Sequence, residues 1–109
     1  MYLEEAGKRI ALWASTTRMV DRVYFFGSRV RNEHREDSDL DIAIELIFED
    51  PNIALANWML EVGNWRLQLE PLLPWRLDLQ SFHETRTPTV RLGIEQSSLL
   101  VYERESLAP

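Results

Sequence analysis

Apolar residues recur along the chain with the 3.6-residue period of amphipathic α-helices in two places. Proline residues follow the second periodic segment, as at helix ends, and a Thr-Pro pair at residues 87 and 88 is typical of a further helix start. The pattern predicts a first helix over residues 2–19, a long helix between Pro51 and Pro71, and a short helix from Pro88 to about Gln96, with Thr87 as its N-cap.

Between the predicted helices the chain has the features of β-strands. Residues 23–26 are aromatic or β-branched and predict a buried strand that stops at Gly27. Residues 39–48 alternate between an apolar face and an acidic face. Further strands are predicted over residues 76–82 and 99–102. This order of elements predicts an α/β fold of the α+β type, with a small mixed sheet and helices packed on one side.

Composition limits the class of protein. A chain of 109 residues that is 45% hydrophobic suffices for one core, so we expect a single domain over residues 1–109. The net charge of -6 disfavours stable binding of nucleic acid on a broad basic surface. The chain has no cysteine, so a metal would need oxygen or imidazole ligands. It shows no signal-peptide pattern and no apolar run of about 18 residues, which predicts a cytoplasmic protein without membrane contact.

The second predicted strand opens with two aspartates in alternation. Residues two apart on a strand point the same way, about 6.6 Å apart, so Asp39 and Asp41 present their carboxylates side by side. A divalent cation would relieve their repulsion, and oxygen ligands favour magnesium or manganese. An EF-hand calcium loop beginning at Asp37 is rejected, because Ile42 and Phe48 occupy the positions that need glycine and glutamate.

A Gly-Ser pair follows the first predicted strand. Glycine at position 27 lets a ligand approach the backbone closely, and the amide groups of a helical turn that begins at Ser28 would point toward an anion. Arg29 and Arg31 would add charge-assisted hydrogen bonds to phosphate oxygens. A phosphate-binding turn beside two metal-binding carboxylates is typical of phosphoryl or nucleotidyl transfer.

The combination resembles the DNA polymerase beta superfamily of nucleotidyltransferases, in particular its minimal single-domain members. The resemblance covers essentially the whole chain and rests on Gly27, Ser28, Asp39, Asp41 and, by its order and strand phase, Asp78. Minimal members commonly have a small residue three positions after the arginine of Gly-Ser-Arg, where this chain has Asn32. Because asparagine tolerates positive φ better than most residues, we expect the turn to form.

The resemblance implies a site and a chemistry. Asp39 and Asp41 would bridge two Mg²⁺ or Mn²⁺ ions, and Asp78 would complete the ion nearer the acceptor hydroxyl. The residues implied to bind the phosphates of a nucleoside triphosphate, expected to be ATP, are Gly27, Ser28, Arg29 and Ser38.

The resemblance also implies a partner. Larger members of the superfamily carry a further domain that shapes the acceptor site, and minimal members often act with a helical HEPN-type protein encoded nearby. The expected function is therefore transfer of AMP to a hydroxyl of such a partner, with this chain as the antitoxin. The alternative is an antitoxin that neutralises its partner by occlusion, without catalysis. An aminoglycoside-type transferase is disfavoured, because the acceptor-shaping domain is missing.

Overall fold

The computed structural model describes residues 1–105, which form a four-stranded sheet with helices on it. The strands are β1 (Val20–Phe26), β2 (Leu40–Leu46), β3 (Leu77–Phe82) and β4 (Ser98–Glu103). The α-helices are α1 (Leu3–Ser15), α2 (Pro51–Leu69) and α3 (Pro88–Gln96), and a short 3₁₀ turn spans Glu70–Leu72. The predicted order of elements is confirmed. The expected domain of residues 1–109 includes four residues, 106–109, that lie outside the described part.

The sheet is mixed, as predicted. Its strand order is β3-β2-β1-β4, in which β1 is antiparallel to both of its neighbours and β2 is parallel to β3. The parallel pair needs a crossover connection, and α2 provides it. This arrangement brings the beginnings of β2 and β3 to the same end of the sheet.

The main core lies between one face of the sheet and the helices α1 and α2. Phe25, Ile42 and Ile44 from the strands are completely buried there together with Ile10 of α1 and Leu69 of α2. Burial of these apolar side chains is the main contribution to the stability of the fold.

The third helix packs on the opposite face. Phe25 contacts α1 at Gly7, whereas the next residue, Phe26, contacts α3 at Gly93. Because successive side chains on a strand point to opposite faces, α3 covers the face that the core helices do not. The fold class is confirmed, and the expectation of helices on one side holds for α1 and α2 but not for α3.

Two helix ends differ from the sequence prediction. The first helix ends at Ser15 instead of residue 19, because the hydroxyls of Thr16 and Thr17 bond to the carbonyl of Trp13 and the chain turns into β1. Thr87 occupies the N-cap position of α3, but its hydroxyl exchanges hydrogen bonds with the backbone of His83 and does not cap the helix. Within residues 1–105, no helix is both long and apolar enough to cross a bilayer.

Candidate active site

The three aspartates selected from the sequence lie at one end of the sheet. Asp41 of β2 stands directly beside Asp78 of β3 in the parallel register, so both side chains project from the same face of neighbouring strands, which are about 4.8 Å apart. Asp39 immediately precedes β2. The phase of both strands agrees with the prediction, since Leu40, Leu77 and Leu79 are buried on the other face.

Asp41 has an unusual protonation equilibrium. Its pKa is raised from 3.8 to about 6, chiefly because burial disfavours the charged form. Hydrogen bonding and charge repulsion from Asp78 raise this pKa further, and so does the charge of Asp39, whereas the Arg31 guanidinium lowers it. A carboxylate held in an unfavourable charge state beside a second carboxylate is a site where a cation would relieve the repulsion.

Gly27 is fitted against the same carboxylate. Its φ is 81°, in the left-handed region that favours glycine, and a Cβ at this position would overlap the Asp41 carboxylate oxygen Oδ2. The register of β1 and β2, which pairs Phe26 with Asp41, causes this close approach. Gly27, which ends β1, therefore leaves room for the Asp41 carboxylate. The sequence alone did not indicate this contact.

The residues after Gly27 form a single turn of helical type. The Arg31 amide donates to the carbonyl of Gly27 at 3.2 Å, and the Glu33 amide donates to the carbonyl of Ser28 at 2.9 Å. Asn32 ends the turn with a φ of 58°. The expectation that asparagine would permit this turn is confirmed, because Asn32 adopts the left-handed conformation that its side chain tolerates.

Arg29 has a different surrounding from the one expected of a phosphate ligand. It is only 7% exposed, and its guanidinium donates three hydrogen bonds, one to the carbonyl of Glu36 and two to that of Ser38, at 2.7–3.0 Å. The same group lies over the ring of Trp75, 4.7 Å from the centroid. Arg29 therefore supports the loop that carries Asp39, and Arg31 is the arginine whose charge acts on Asp41.

Ser38 also belongs to this support. Its hydroxyl accepts a hydrogen bond from the Arg35 amide at 2.9 Å, while its carbonyl accepts those of Arg29. The serine thus holds the segment just before the aspartates, and its hydroxyl is engaged within the loop.

Two residues that the sequence did not single out contact the aspartates. The Arg76 Nε donates to Asp39 Oδ1 at 2.7 Å, and the Gln80 side-chain amide donates to Asp78 Oδ1 at 2.8 Å. For Gln80 a signal existed, since it lies two residues after Asp78 on the same strand face. Arg76 is 37 residues from Asp39 in the chain, and only the pairing of β2 with β3 brings them together.

The donor set fits a divalent cation in part. Asp41 and Asp78 supply adjacent oxygen ligands of the type that Mg²⁺ and Mn²⁺ prefer. Asp39 instead points its Oδ1 at Arg76, and within residues 1–105 no group of three or more His, Asp or Glu side chains is already gathered around one point. A metal that uses all three aspartates would compete with Arg76 for the Asp39 carboxylate.

Comparison with known proteins gives matches at the level of family and fold. The family model described as polymerase beta, nucleotidyltransferase, matches residues 8–107. No curated protein matches the chain significantly.

Among solved structures, the chain is similar to a toxin-antitoxin crystallised with AMP-PNP, at 21% identity and a TM-score of 0.60, over 91% of this chain and 74% of that one. It is also similar to an MntA-HpeT toxin-antitoxin variant in which two aspartates are replaced by glutamates, at 19% identity and a TM-score of 0.56, over 88% and 70%. A nucleotidyltransferase structure from Sulfolobus solfataricus matches at 18% identity and a TM-score of 0.51, over 95% and 82%.

At these identities the solved structures show the fold, whereas the family model spans nearly the whole chain. Asp41 and Asp78 stand beside each other at the starts of β2 and β3, and Gly27 packs against Asp41. The chain belongs to the polymerase beta nucleotidyltransferase family.

Proposed function

We propose that this chain transfers a nucleoside monophosphate, expected to be AMP from ATP, to a hydroxyl of a helical partner protein of the HEPN type, and that it acts in this way as an antitoxin. The observation that carries the proposal is the fit of Gly27 against Asp41, beside Asp78 in register. This fit supports the proposal because it brings the Gly27-Ser28 turn, which we propose to bind phosphate, against the carboxylate pair. The toxin-antitoxin neighbours support the choice of a protein partner.

The nucleotide would lie across the turn and the carboxylates. The backbone amides at the start of the turn, at Ser28 and Arg29, would donate to phosphate oxygens, and the Arg31 guanidinium, whose charge already acts on Asp41, would add positive charge on that side. Asp39, Asp41 and Asp78 would hold two Mg²⁺ or Mn²⁺ ions, which supply charge stabilisation for the attacking and leaving oxygens.

Asp78 has a second role in this proposal. Its Oδ1 accepts a hydrogen bond from Gln80, which orients the carboxylate along the strand. We infer that the Asp78 carboxylate also accepts the proton of the acceptor hydroxyl as that hydroxyl attacks the α-phosphorus. Pyrophosphate leaves on the side of the Gly27-Ser28 turn.

Label transfer tests the proposal. The chain is incubated with Mg²⁺ and the helical protein encoded beside it, in parallel with ATP labelled on the α-phosphate and ATP labelled on the γ-phosphate. Label is expected in the partner from the α-labelled nucleotide alone. Asp41→Asn should lose transfer, whereas Glu45→Gln, on the same strand face but bound to Arg22 at 3.5 Å, should keep it. Absence of label with every divalent metal would refute the enzymatic proposal.

A second candidate function is an antitoxin that binds its partner without catalysis. The ion pair between Asp39 and Arg76 favours it, because this pair engages one of the three carboxylates that the reaction needs. Neutralisation of the partner's toxicity by an Asp39→Asn, Asp41→Asn double variant would support this candidate. Loss of neutralisation in the double variant, with binding retained, would support the enzyme.

A further inference from the structure

The two edges of the sheet are protected to different degrees. At the edge formed by β3, the Arg66 guanidinium of α2 donates to the Leu77 carbonyl at 2.9 Å, and the Leu77 side chain is buried. At the opposite edge, Leu99 and Leu100 of β4 are 45% and 53% exposed, and this strand carries no charge before its last residue. An edge strand with exposed apolar side chains and no charge is a surface to which a further strand can pair.

The first helix continues this surface above the edge. It packs over β4 and β1. It runs in the same direction as β4, because its end leads to Arg18, whose carbonyl accepts a hydrogen bond from Arg104 just after β4. The lining of the groove between the two elements includes Glu4, Gly7 and Lys8 of α1 and Leu99, Leu100 and Val101 of β4. We name these six residues the α1-β4 edge.

The strand determines where a two-fold axis can pass. Residues directly opposite each other in an antiparallel pair point to the same face of the sheet. Leu99 pairs with Phe25 on the face that α1 covers, and Val101 packs on the same face. Leu100 points to the other face. An axis through Leu100 would pair this residue with itself and Leu99 with Val101 of the other copy, so apolar side chains would meet on both faces.

Gly7 relates the helix to this axis. The register of β4 on β1 shifts at Val101, so the strands alone would form a short and irregular contact. A Cβ at Gly7 would lie 3.9 Å from Val101 and 3.9 Å from Phe25, the residue that pairs with Leu99. Gly7 therefore lies at the level of Leu100, between its two neighbours on the strand.

The charges of α1 place the axis independently. Glu4 and Lys8 have side chains that are 84% and 78% exposed, with 3.8 Å between their charged atoms. The midpoint between them is one residue from Gly7, which is about 1.5 Å along the helix. A two-fold axis at the level of Gly7 would therefore bring Glu4 of each copy opposite Lys8 of the other, within reach of these long side chains.

The agreement of the two placements identifies the occupant. The strand edge alone would accept any extended segment, and the helix alone would accept any helix with an acid and a base in the reverse order. A docked molecule satisfies both only if it carries a strand and a helix at the same relative position as this chain does. A second copy meets this condition by symmetry, because the two faces of a two-fold interface are identical.

We infer that the α1-β4 edge is a homodimerisation surface, on which a second copy of this chain docks antiparallel about Leu100. The two four-stranded sheets then form one sheet of eight strands. β4 has 6 residues and α1 has 13, and each is about 20 Å long, so the contact is a narrow strip at the low end of interface sizes and the dimer is reversible. Asp41 and Asp78 lie on the two strands farthest from β4, so the inference does not depend on the transfer activity.

Exchange of the charges tests the pairing of the helices. Glu4→Lys and Lys8→Glu should each weaken the dimer about tenfold in sedimentation equilibrium, because like charges then face each other twice. Both side chains are largely exposed, so the helix content should not change. An equimolar mixture of the two variants should dimerise as strongly as the unmodified chain, since every lysine again faces a glutamate. A mixture that stays as weak as the separate variants would overturn the inference.

The absence of cysteine from the chain permits a test of the axis. Leu100→Cys should give a disulfide-linked dimer under mild oxidation, because directly opposite residues of antiparallel strands have Cα atoms about 4.5–5.5 Å apart. Leu60→Cys is the matched control, since Leu60 is 79% exposed on α2. Equal cross-linking at the two positions would overturn the inference. So would a single-chain mass of the unmodified chain at roughly 100 μM, above the micromolar dissociation constants of weak interfaces.

Discussion

Replacing Asp41 by asparagine is expected to stabilise the fold while removing the proposed transfer activity. Asparagine keeps the shape of the side chain and removes the charge that burial and Asp78 disfavour. Its amide can also donate a hydrogen bond to the Asp78 carboxylate. An active-site substitution that raises stability would indicate that the native protein holds these carboxylates together at a cost.

The magnitude follows from the pKa of Asp41, which burial and the neighbouring carboxylates raise from 3.8 to about 6. A shift of about two units corresponds to about 3 kcal/mol, and solvent screening at this partly open site reduces the value to about 1–2 kcal/mol. For a domain of this size, such a gain raises the melting temperature by roughly 5–10 °C.

The gain must depend on pH. The unfolded chain releases the Asp41 proton near pH 3.8 and the folded chain near pH 6, so between these values the folded state binds more protons. The contribution of this group to the free energy of unfolding therefore falls as the pH rises through this window, and the full penalty is present above about pH 6. Asp41→Asn should be stabilising at pH 7.5 and close to neutral below pH 4.

Urea unfolding, followed by the fluorescence of the four tryptophans in the presence of a chelator, measures this difference. The control is Asp39→Asn, which makes the same chemical change at a carboxylate paired with Arg76 and should bring no gain. Addition of Mg²⁺ should stabilise the unmodified protein and have little effect on Asp41→Asn. An Asp41→Asn protein that is no more stable at pH 7.5, or equally stabilised at pH 4, would refute the reasoning.

Three further substitutions, at Gly27, Arg29 and Arg76, test the surroundings of the aspartates, and Gly63→Ala is a control for the first. Gly27→Ala should lower the free energy of unfolding in urea by about 2 kcal/mol or more, because φ is positive and the new Cβ overlaps a carboxylate oxygen. Gly63→Ala, at an open helix position, should raise this free energy by about 1 kcal/mol. Equal effects of the two substitutions would contradict the contact between Gly27 and Asp41. Arg29→Met should cost about 2–3 kcal/mol in the same assay, since two loop carbonyls lose their donor, and a neutral result would remove its structural role. Arg76→Ala should tighten Mn²⁺ binding several-fold, because Asp39 no longer has a competing cation. Electron paramagnetic resonance measures this binding. Unchanged or weaker binding would contradict competition between Arg76 and the metal.

Local spacing in the sequence was sufficient to predict most of the fold. The second helix begins at Pro51 and ends at Leu69 as expected, because Asp50 caps its first amides and proline follows its end. The phase of β2 and β3 was also predictable, since apolar and acidic residues alternate along them. These features depend on residues two to four positions apart, whose physical interactions are readable from the chain alone.

The helix faces were less predictable. The apolar pattern of α2 indicated a core helix, and it does not distinguish the side that packs in the core from the exposed stripe around Leu60. Likewise, the placement of α3 on the other face depends on the crossover from β3 to β4 over the sheet. Periodicity shows that a face is apolar, but the tertiary structure decides what covers it.

Some features of the candidate site were also predictable from the sequence, and others were not. The sequence by itself determined the aspartates, the Gly-Ser turn and the tolerance of Asn32 for positive φ, because each is a local pattern of charge or backbone conformation. Only the tertiary structure decided that Arg29 is buried under Trp75 and that Arg76 reaches Asp39. The residues of these two pairs lie 46 and 37 positions apart in the chain. An arginine side chain is long and flexible, so it can reach many partners in the unfolded chain. Strand pairing and burial in the folded protein select one of them.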